Sequence, residues 1–259
     1  MSELTLVIGD PHAHPDFSNA RFDLLSHLIM DRRPDTIICL GDWADMPSLS
    51  SYDKGKKSFE GRRFKDDCES AIDAQTRMFA GLVEYNDRAR RNKDKQYRPT
   101  TVMLGGNHDE GRISRIVNDN PEWEGVITLS ALRYNDYWHT YVPYRHTIDL
   151  DGVLYSHHFA TGVSGRPIGG INMGRSLVQK NYVSSTVGHS HLWNSFTDTR
   201  RDGTRVHGLS AGCFVDFALD FAAETHHLWW AGVVLKHNVH DGDYDLEQIS
   251  LDRLRKIYG

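Results

Sequence analysis

Cysteine is scarce in this 259-residue chain. The three present, Cys39, Cys68 and Cys213, lie far apart, which excludes a disulfide framework or a Cys-rich zinc site. They read as reduced core thiols. Long apolar runs are missing as well. The longest, Leu228 to Leu235, falls far short of the ~20 residues a bilayer crossing needs. Leu4 to Ile8 is strand-like and has no basic leader or cleavage site before it. The expectation is a cytoplasmic protein without membrane attachment. An excess of positive charge is also lacking: 30 basic against 35 acidic residues give a net charge of -5. That argues against a surface built wholly for nucleic acid and leaves room for a local basic patch. No repeat, low-complexity tract or linker divides the chain. One domain over 1–259 is expected, with a helical and basic insertion at about 46–100, and nothing implies a protein partner.

Histidine, in contrast, is abundant, at fifteen. Several stand in short clusters: Asp10-Pro11-His12, Asn107-His108-Asp109, His157-His158 and His189-Ser190-His191. Histidine grouped with Asp and Asn points to metal or acid–base chemistry. An apolar share of 39% supplies one sizeable core around it.

Five short β-prone runs each end in a polar motif. Leu4 to Ile8 leads to Asp10 and His12, Thr36 to Leu40 to Gly41-Asp42-Trp43-Ala44-Asp45, and Thr101 to Leu104 to Gly105-Gly106-Asn107-His108-Asp109. Val153 to Ser156 leads to His157-His158, and Ser184 to Val187 to Gly188-His189-Ser190-His191. Helices are expected between the first runs. One is capped by Asp16 or Ser18 and buries Phe22, Leu25, Leu28 and Ile29. A long one from about Lys65 to Arg91 buries Ile72, Met78, Phe79, Leu82 and Val83. Further strands are expected at Arg205 to Ser210 and Trp229 to Lys236, and a closing helix at Leu246 to Tyr258. Alternating strand and helix predicts an α/β fold. Its ligands should gather beyond the carboxyl ends of the strands, where all five motifs stand.

Carboxylate, amide oxygen and imidazole without thiolate suit hard and borderline divalent cations. Asp10 with His12, and His189 with His191, can each converge on one ion. Asp42 has two oxygens with which to bridge, Asn107 offers an amide oxygen, and His157 offers a nitrogen. Seven ligands suit two ions, which at roughly 3.5–4 Å apart form a clamp for displacement at phosphorus.

The ordered set D-x-H, G-D-x-x-D, G-N-H-D, H, G-H-x-H resembles the calcineurin-like metallophosphoesterase superfamily and spans residues 10 to 191. The resemblance implies a β-sandwich flanked by helices in four layers, αββα, with a dimetal site at the strand carboxyl ends. It implies a first ion on Asp10, His12, Asp42 and His191, and a second on Asp42, Asn107, His157 and His189. His108 is then the general acid, Asp45 the carboxylate that orients it, and water activated between the ions the nucleophile. Mn²⁺ is the first expectation, with Fe, Zn²⁺ or Ni²⁺ as alternatives. The family usually has Gly after the single histidine, where this chain has His158, so either His157 or His158 can be the ligand. Met46-Pro47 stands where protein Ser/Thr phosphatases of this superfamily carry Arg-Gly, which argues against that class.

Substrate features are less defined. Lys54, Lys56, Lys57, Arg62, Arg63 and Lys65 interleave with Tyr52, Phe59 and Phe64, a pattern that can track phosphates and stack bases; a solvated loop is the alternative. Arg112 and Arg115 could hold a phosphate, with surface arginines on a short helix as the alternative; Trp43 or Trp193 could wall the pocket or stack a base, with core packing as the alternative; and His158 could contact substrate. The glycine-rich run Ala160 to Ser176 is either a flap or a plain connection. A metal-dependent phosphodiesterase or nuclease acting on DNA, RNA or nucleotides is the leading expectation. A phosphomonoesterase for small molecules is second, and a catalytically silent scaffold third.

Overall fold

The computed structural model describes residues 2–259 apart from Tyr52, Lys54, Ser164 and 219–221, together with the side chains of Ser58, Ala223 and Glu224. The strands are β1 (Ser2–Ile8), β2 (Thr36–Cys39), β3 (Thr100–Leu104), β4 (Thr140–Val142), β5 (Ile148–Leu150), β6 (Val153–Ser156), β7 (Ala160–Thr161), β8 (Arg166–Pro167), β9 (Ser184–Val187), β10 (Trp193–Thr199), β11 (Arg205–Ala211), β12 (Gly232–His240) and β13 (Asp243–Ser250). The helices are α1 (Arg21–Arg32), α2 (Phe64–Asn92), α3 (Glu110–Asp119), α4 (Met173–Asn181) and α5 (Leu251–Tyr258).

Among the described residues two large sheets form, ordered β13-β12-β1-β2-β3-β4 and β10-β11-β9-β6-β5, beside a two-stranded ribbon of β7 and β8. β1, β2 and β3 run parallel, as do β6, β9 and β11. The central strands β1, β2 and β3 are rich in buried apolar residues because both faces of the first sheet are covered. Leu6, Ile8, Ile37, Cys39 and Met103 face one way and meet Phe22 and Leu25 of α1, Met78 of α2 and Leu254 of α5. Val7, Ile38, Leu40, Val102 and Leu104 face the other way, onto Val153, Tyr155, Leu209 and Ala211 of the second sheet. On the far side of that sheet, Met173 and Leu177 of α4 pack with Val187. The order is helix, sheet, sheet, helix: a mixed α/β fold in the four layers expected. No described helix is long and apolar enough to cross a membrane. All three cysteines are buried and free.

Several local expectations need correction. The residues from Leu246 do not open a helix; 243–250 pair antiparallel with β12, and the helix starts only after Ser250, whose Oγ accepts from Arg253 N. The strand expected from Trp229 begins at Gly232. α1 has no side-chain cap, and Ser18 instead accepts from Ala20 N before the helix begins. On α2 the buried face is Ala71, Ala74, Gln75, Met78 and Phe79, whereas Val83 is 56% exposed. The run after His158 forms a small ribbon of β7 and β8 that leads to α4.

Candidate metal centre

The five motifs meet where the two sheets present their carboxyl ends. The loops after β1 and β2 are zipped together: His12 N donates to Asp42 O (3.0 Å), Ala13 N to Trp43 O (2.7 Å) and Asp45 N to Ala13 O (3.0 Å). Backbone conformation then aims the side chains. Asp10, His12, Asp42, His189 and His191 all have positive φ, between 23° and 64°. L-residues rarely adopt that region, and when they do they cluster at functional sites. Space matters as well. A Cβ on Gly106 would overlap Asp42 Oδ1, and one on Gly188 would overlap Asp10 Oδ1. Glycine at both positions lets the two carboxylates sit against backbone.

One set of donors surrounds Asp10. The carboxylate is fully buried and neither oxygen accepts a hydrogen bond. His191 Nε2 lies 3.1 Å from Asp10 Oδ2, and His12 Nε2 lies 3.0 Å from His191 Nε2. His12 Nδ1 donates to Asp45 Oδ1 (3.0 Å), which fixes the tautomer and turns the Nε2 lone pair inward. A carboxylate oxygen and imidazole nitrogens thus converge on one point. A buried carboxylate without a donor is costly, and a cation at that point satisfies it.

The second set adjoins it. His157 Nε2 lies 2.9 Å from Asn107 Oδ1 and 3.4 Å from Asp42 Oδ2, and His189 Nδ1 lies 2.7 Å from the same amide oxygen and 3.2 Å from His157 Nε2. His157 Nδ1 donates to Leu40 O at 2.8 Å, so its Nε2 is the atom presented. Asp42 belongs to groups with Asp10 and His157 and with His12 and His108, in which all ligand atoms lie within 4.8 Å of one another. That position suits a bridge. The residues present therefore fit two divalent ions, with Asp10, His12, Asp42 and His191 able to hold one and Asp42, Asn107, His157 and His189 the other.

The electrostatics follow from burial and neighbours. Burial pushes the Asp42 and Asp45 carboxyls up, but His157 and His108 beside Asp42, and His108 and His12 beside Asp45, outweigh it and hold both well below the usual range. Burial lowers His12 to about 4 against the pull of Asp45, and lowers His189 to about 4. His157 goes the other way: burial opposes its charge, but Asp42 and then Asp10 raise it to about 10.

Next to the ligands, His108 Nδ1 donates to Asp45 Oδ1 at 2.8 Å. The same oxygen accepts a hydrogen bond from His12 Nδ1, so Asp45 holds both histidines. Its neighbour Trp43 is a correction. The indole is fully buried under the first sheet, tilted at 43° to Phe22 with ring centroids 5.1 Å apart, and its Nε1 donates to Ala71 O (3.0 Å). It offers no surface to a substrate. Arg112 is buried too, and its Nη1 donates to the carbonyls of Asp45 (2.7 Å) and Met46 (3.1 Å). Arg115 donates to Leu49 O. These arginines brace the turn after Asp45 and do not form the phosphate clamp expected. Trp193 packs on Trp230 beside the inter-sheet core. His158 lies next to the second set, its ring 5.1 Å from that of His189.

Much of the basic insertion is neutralised locally. Arg62 pairs with Asp53 at 2.8 Å and Lys56 with the same carboxylate at 3.1 Å, while Lys65 meets Glu69. Lys54 and Tyr52 lie outside the described residues. Asp109, the last residue of the G-N-H-D motif, braces the loops. Asp109 Oδ1 accepts from Gly106 N and Glu110 N, and Oδ2 from Trp43 N and Tyr134 OH, tying the second motif to the third. Burial, then the charge of Asp42, raise it to about 6. Tyr144 faces His157 and His158, Trp229 lies edge-on to His191 at 4.1 Å, and the guanidinium of Arg145 covers the Tyr144 ring. A ring at contact distance from a ligand cannot be read from sequence when it arrives from a different loop.

No curated protein matches the chain significantly. Among solved structures, nuclease MPE of Pseudomonas putida is 13% identical, with 94% of this chain and 87% of that one covered and a TM-score of 0.34. TT1561 of Thermus thermophilus is 9% identical, with 97% and 100% covered and a TM-score of 0.39. The model of the calcineurin-like phosphoesterase family matches residues 4–258, almost the entire chain. On that match, which takes in every motif converging here, the chain belongs to the calcineurin-like phosphoesterase family.

Proposed function

We propose that this phosphoesterase cleaves phosphate diesters, with nucleic acid or nucleotides as its substrates. The observation that supports the choice is the set of aromatic rings around the ligand cluster. Tyr144 lies against His157 and His158, and Trp229 against His191. Phe17 and Phe217 stack on each other at 3.8 Å and both contact His14, whose Nε2 is 3.9 Å from Asp45 Oδ2. Phe17 is 39% exposed. Rings of this kind stack nucleobases without regard to sequence, and Arg145 over Tyr144 adds a cation for the backbone.

Bound divalent ions would supply Lewis acidity and activation of water at neutral pH. The chain's own residues do the rest. Asp10, His12, Asn107, His157, His189 and His191 would hold the ions, and Asp42 would link the two sets. His108 passes a proton to the departing alkoxide, and Asp45 fixes its ring so that Nε2 is the donating atom. The test is hydrolysis of bis-p-nitrophenyl phosphate and p-nitrophenyl phosphate side by side, with Mn²⁺ and with chelator. Metal-dependent cleavage of the diester well above the monoester is expected, followed by cleavage of DNA or RNA. Preference for the monoester would overturn the reading in favour of a small-molecule phosphatase, and no uptake of divalent ions would favour a silent scaffold.

A further inference from the structure

The second donor set has a neighbour beyond the seven ligands. One ring nitrogen of His158 lies within 4.8 Å of ligand nitrogens on His157 and His189. Its ring is 5.9 Å from that of His157 and 5.1 Å from that of His189. His158 is only 8% exposed, and its Nδ1 is buried with no hydrogen-bond partner. The residue is held in place, since Ser156 Oγ donates to its carbonyl at 2.9 Å and the Tyr144 ring packs on it at 5.5 Å. A fixed, buried imidazole nitrogen without a partner needs an explanation. The ligand group beside it provides one.

We propose that His158 is a further ligand of the second metal ion, alongside Asp42, Asn107, His157 and His189. The proposal rests on the two-ion reading of the centre and makes its two positions chemically unequal. The first has two imidazoles and two carboxylates, from His12, His191, Asp10 and Asp42. The second has three imidazoles, one amide oxygen and the shared carboxylate. Imidazole suits Zn²⁺, Ni²⁺ and Fe, whereas carboxylate-rich sites suit Mn²⁺. The second position therefore discriminates more strongly for Zn²⁺ or Ni²⁺ over Mn²⁺ than the first does.

Calorimetric titration of the chelator-stripped full chain with Zn²⁺, Ni²⁺ and Mn²⁺ tests this, comparing wild type with His158→Ala. Wild type should take two equivalents. In the variant one equivalent should weaken for Zn²⁺ and Ni²⁺ by at least the roughly 10–100-fold that loss of an outer-shell partner costs, and distinctly less for Mn²⁺. The other equivalent should be unchanged, which also reports an intact fold. The visible spectrum of Co²⁺-loaded protein should shift as one nitrogen donor is lost. If both equivalents keep their affinity and the Co²⁺ spectrum stays the same, His158 is not a ligand and the proposal is overturned. A rise in KM for the diester alone would then place His158 against substrate. If wild type takes up only one ion or none, the two-ion reading itself fails, an outcome distinct from the first.

Discussion

Asp45 accepts from His12 Nδ1 at 3.0 Å and from His108 Nδ1 at 2.8 Å, both on Oδ1. The two histidines have different work, so variants should separate it. His108→Ala should keep both metal affinities and lose about 10²–10⁴ in kcat on esters with a poor leaving group. The loss should be much smaller for p-nitrophenolate, which departs without a proton. Asp45→Asn should weaken metal binding as well, by roughly 10–100-fold, because it releases a ligand from its outer support. Equal losses for His108→Ala on good and poor leaving groups would remove His108 from proton transfer. Asp67 is a second residue with a measurable signature. Its Oδ2 accepts from Ser48 N and Oγ, Oδ1 has no partner, and burial pushes the carboxyl up to about 7. Between the unfolded value near 4 and the folded value, the native state keeps a proton that the unfolded chain has lost. Stability therefore falls as pH rises through that window and stays lower above it. Asp67→Asn should flatten the dependence and gain at most about 4 kcal/mol at pH 8 relative to pH 4. Urea unfolding at the two pH values checks it, and parallel curves for the two proteins would contradict it.

At the scale of elements, the closing helix shows how one side chain sets a boundary. Ser250 Oγ accepts from Arg253 N, and α5 then buries Leu251 and Leu254 against the first sheet's helical layer. Ser250→Ala should cost about 1 kcal/mol and lower Tm by about 2–4 °C without touching activity; a scanning calorimeter reads both claims when paired with a turnover assay. The same boundary is not legible in the sequence, since 246–258 has apolar spacing that suits either period, and only pairing with β12 resolves it. The strands bearing the motifs are legible because each is a short apolar run cut off by ligand-type residues. The ligands are legible because Asp, Asn and His at strand ends have few other uses in such order. Less legible is where bulky neighbours point. Trp43 follows Asp42, whose φ of 49° turns the chain so that the indole goes down to Ala71 while the carboxylate goes up. Arg112 reads as free for substrate because the carbonyls it binds belong to Asp45 and Met46, far away in sequence. Phe217, Trp229 and Tyr144 join the site only through loops whose paths no local pattern records.

For the whole molecule, the centre is a concentration of buried carboxylates held by strained turns. Asp10, Asp42, Asp45 and Asp109 are all buried, Asp10 has no hydrogen-bond donor, and five ligands sit at positive φ. The unsatisfied Asp10 carboxylate and the positive φ values oppose folding when no cation is present, and these residues lie in the loops after β1, β2 and β9, which meet at the carboxyl ends of both sheets. Metal binding and global stability should therefore be linked. An ion at 100 times its Kd adds about 2.7 kcal/mol if it binds only the native state, and two ions add more. Chelation should lower Tm, and Mn²⁺ should restore it in a concentration-dependent way. Asp10→Asn makes the argument specific. It removes the buried charge that lacks a donor, so the chelated variant should be at least as stable as chelated wild type. It also removes a ligand, so added Mn²⁺ should raise its Tm by less. Thermal unfolding of both proteins, with and without chelator, gives four values to compare. If wild type unfolds at the same temperature in both conditions, the carboxylates are tolerated without ions and the link between the centre and the fold is broken. If chelated Asp10→Asn is clearly less stable than chelated wild type, Asp10 holds the loops through contacts of its own and not through a cation.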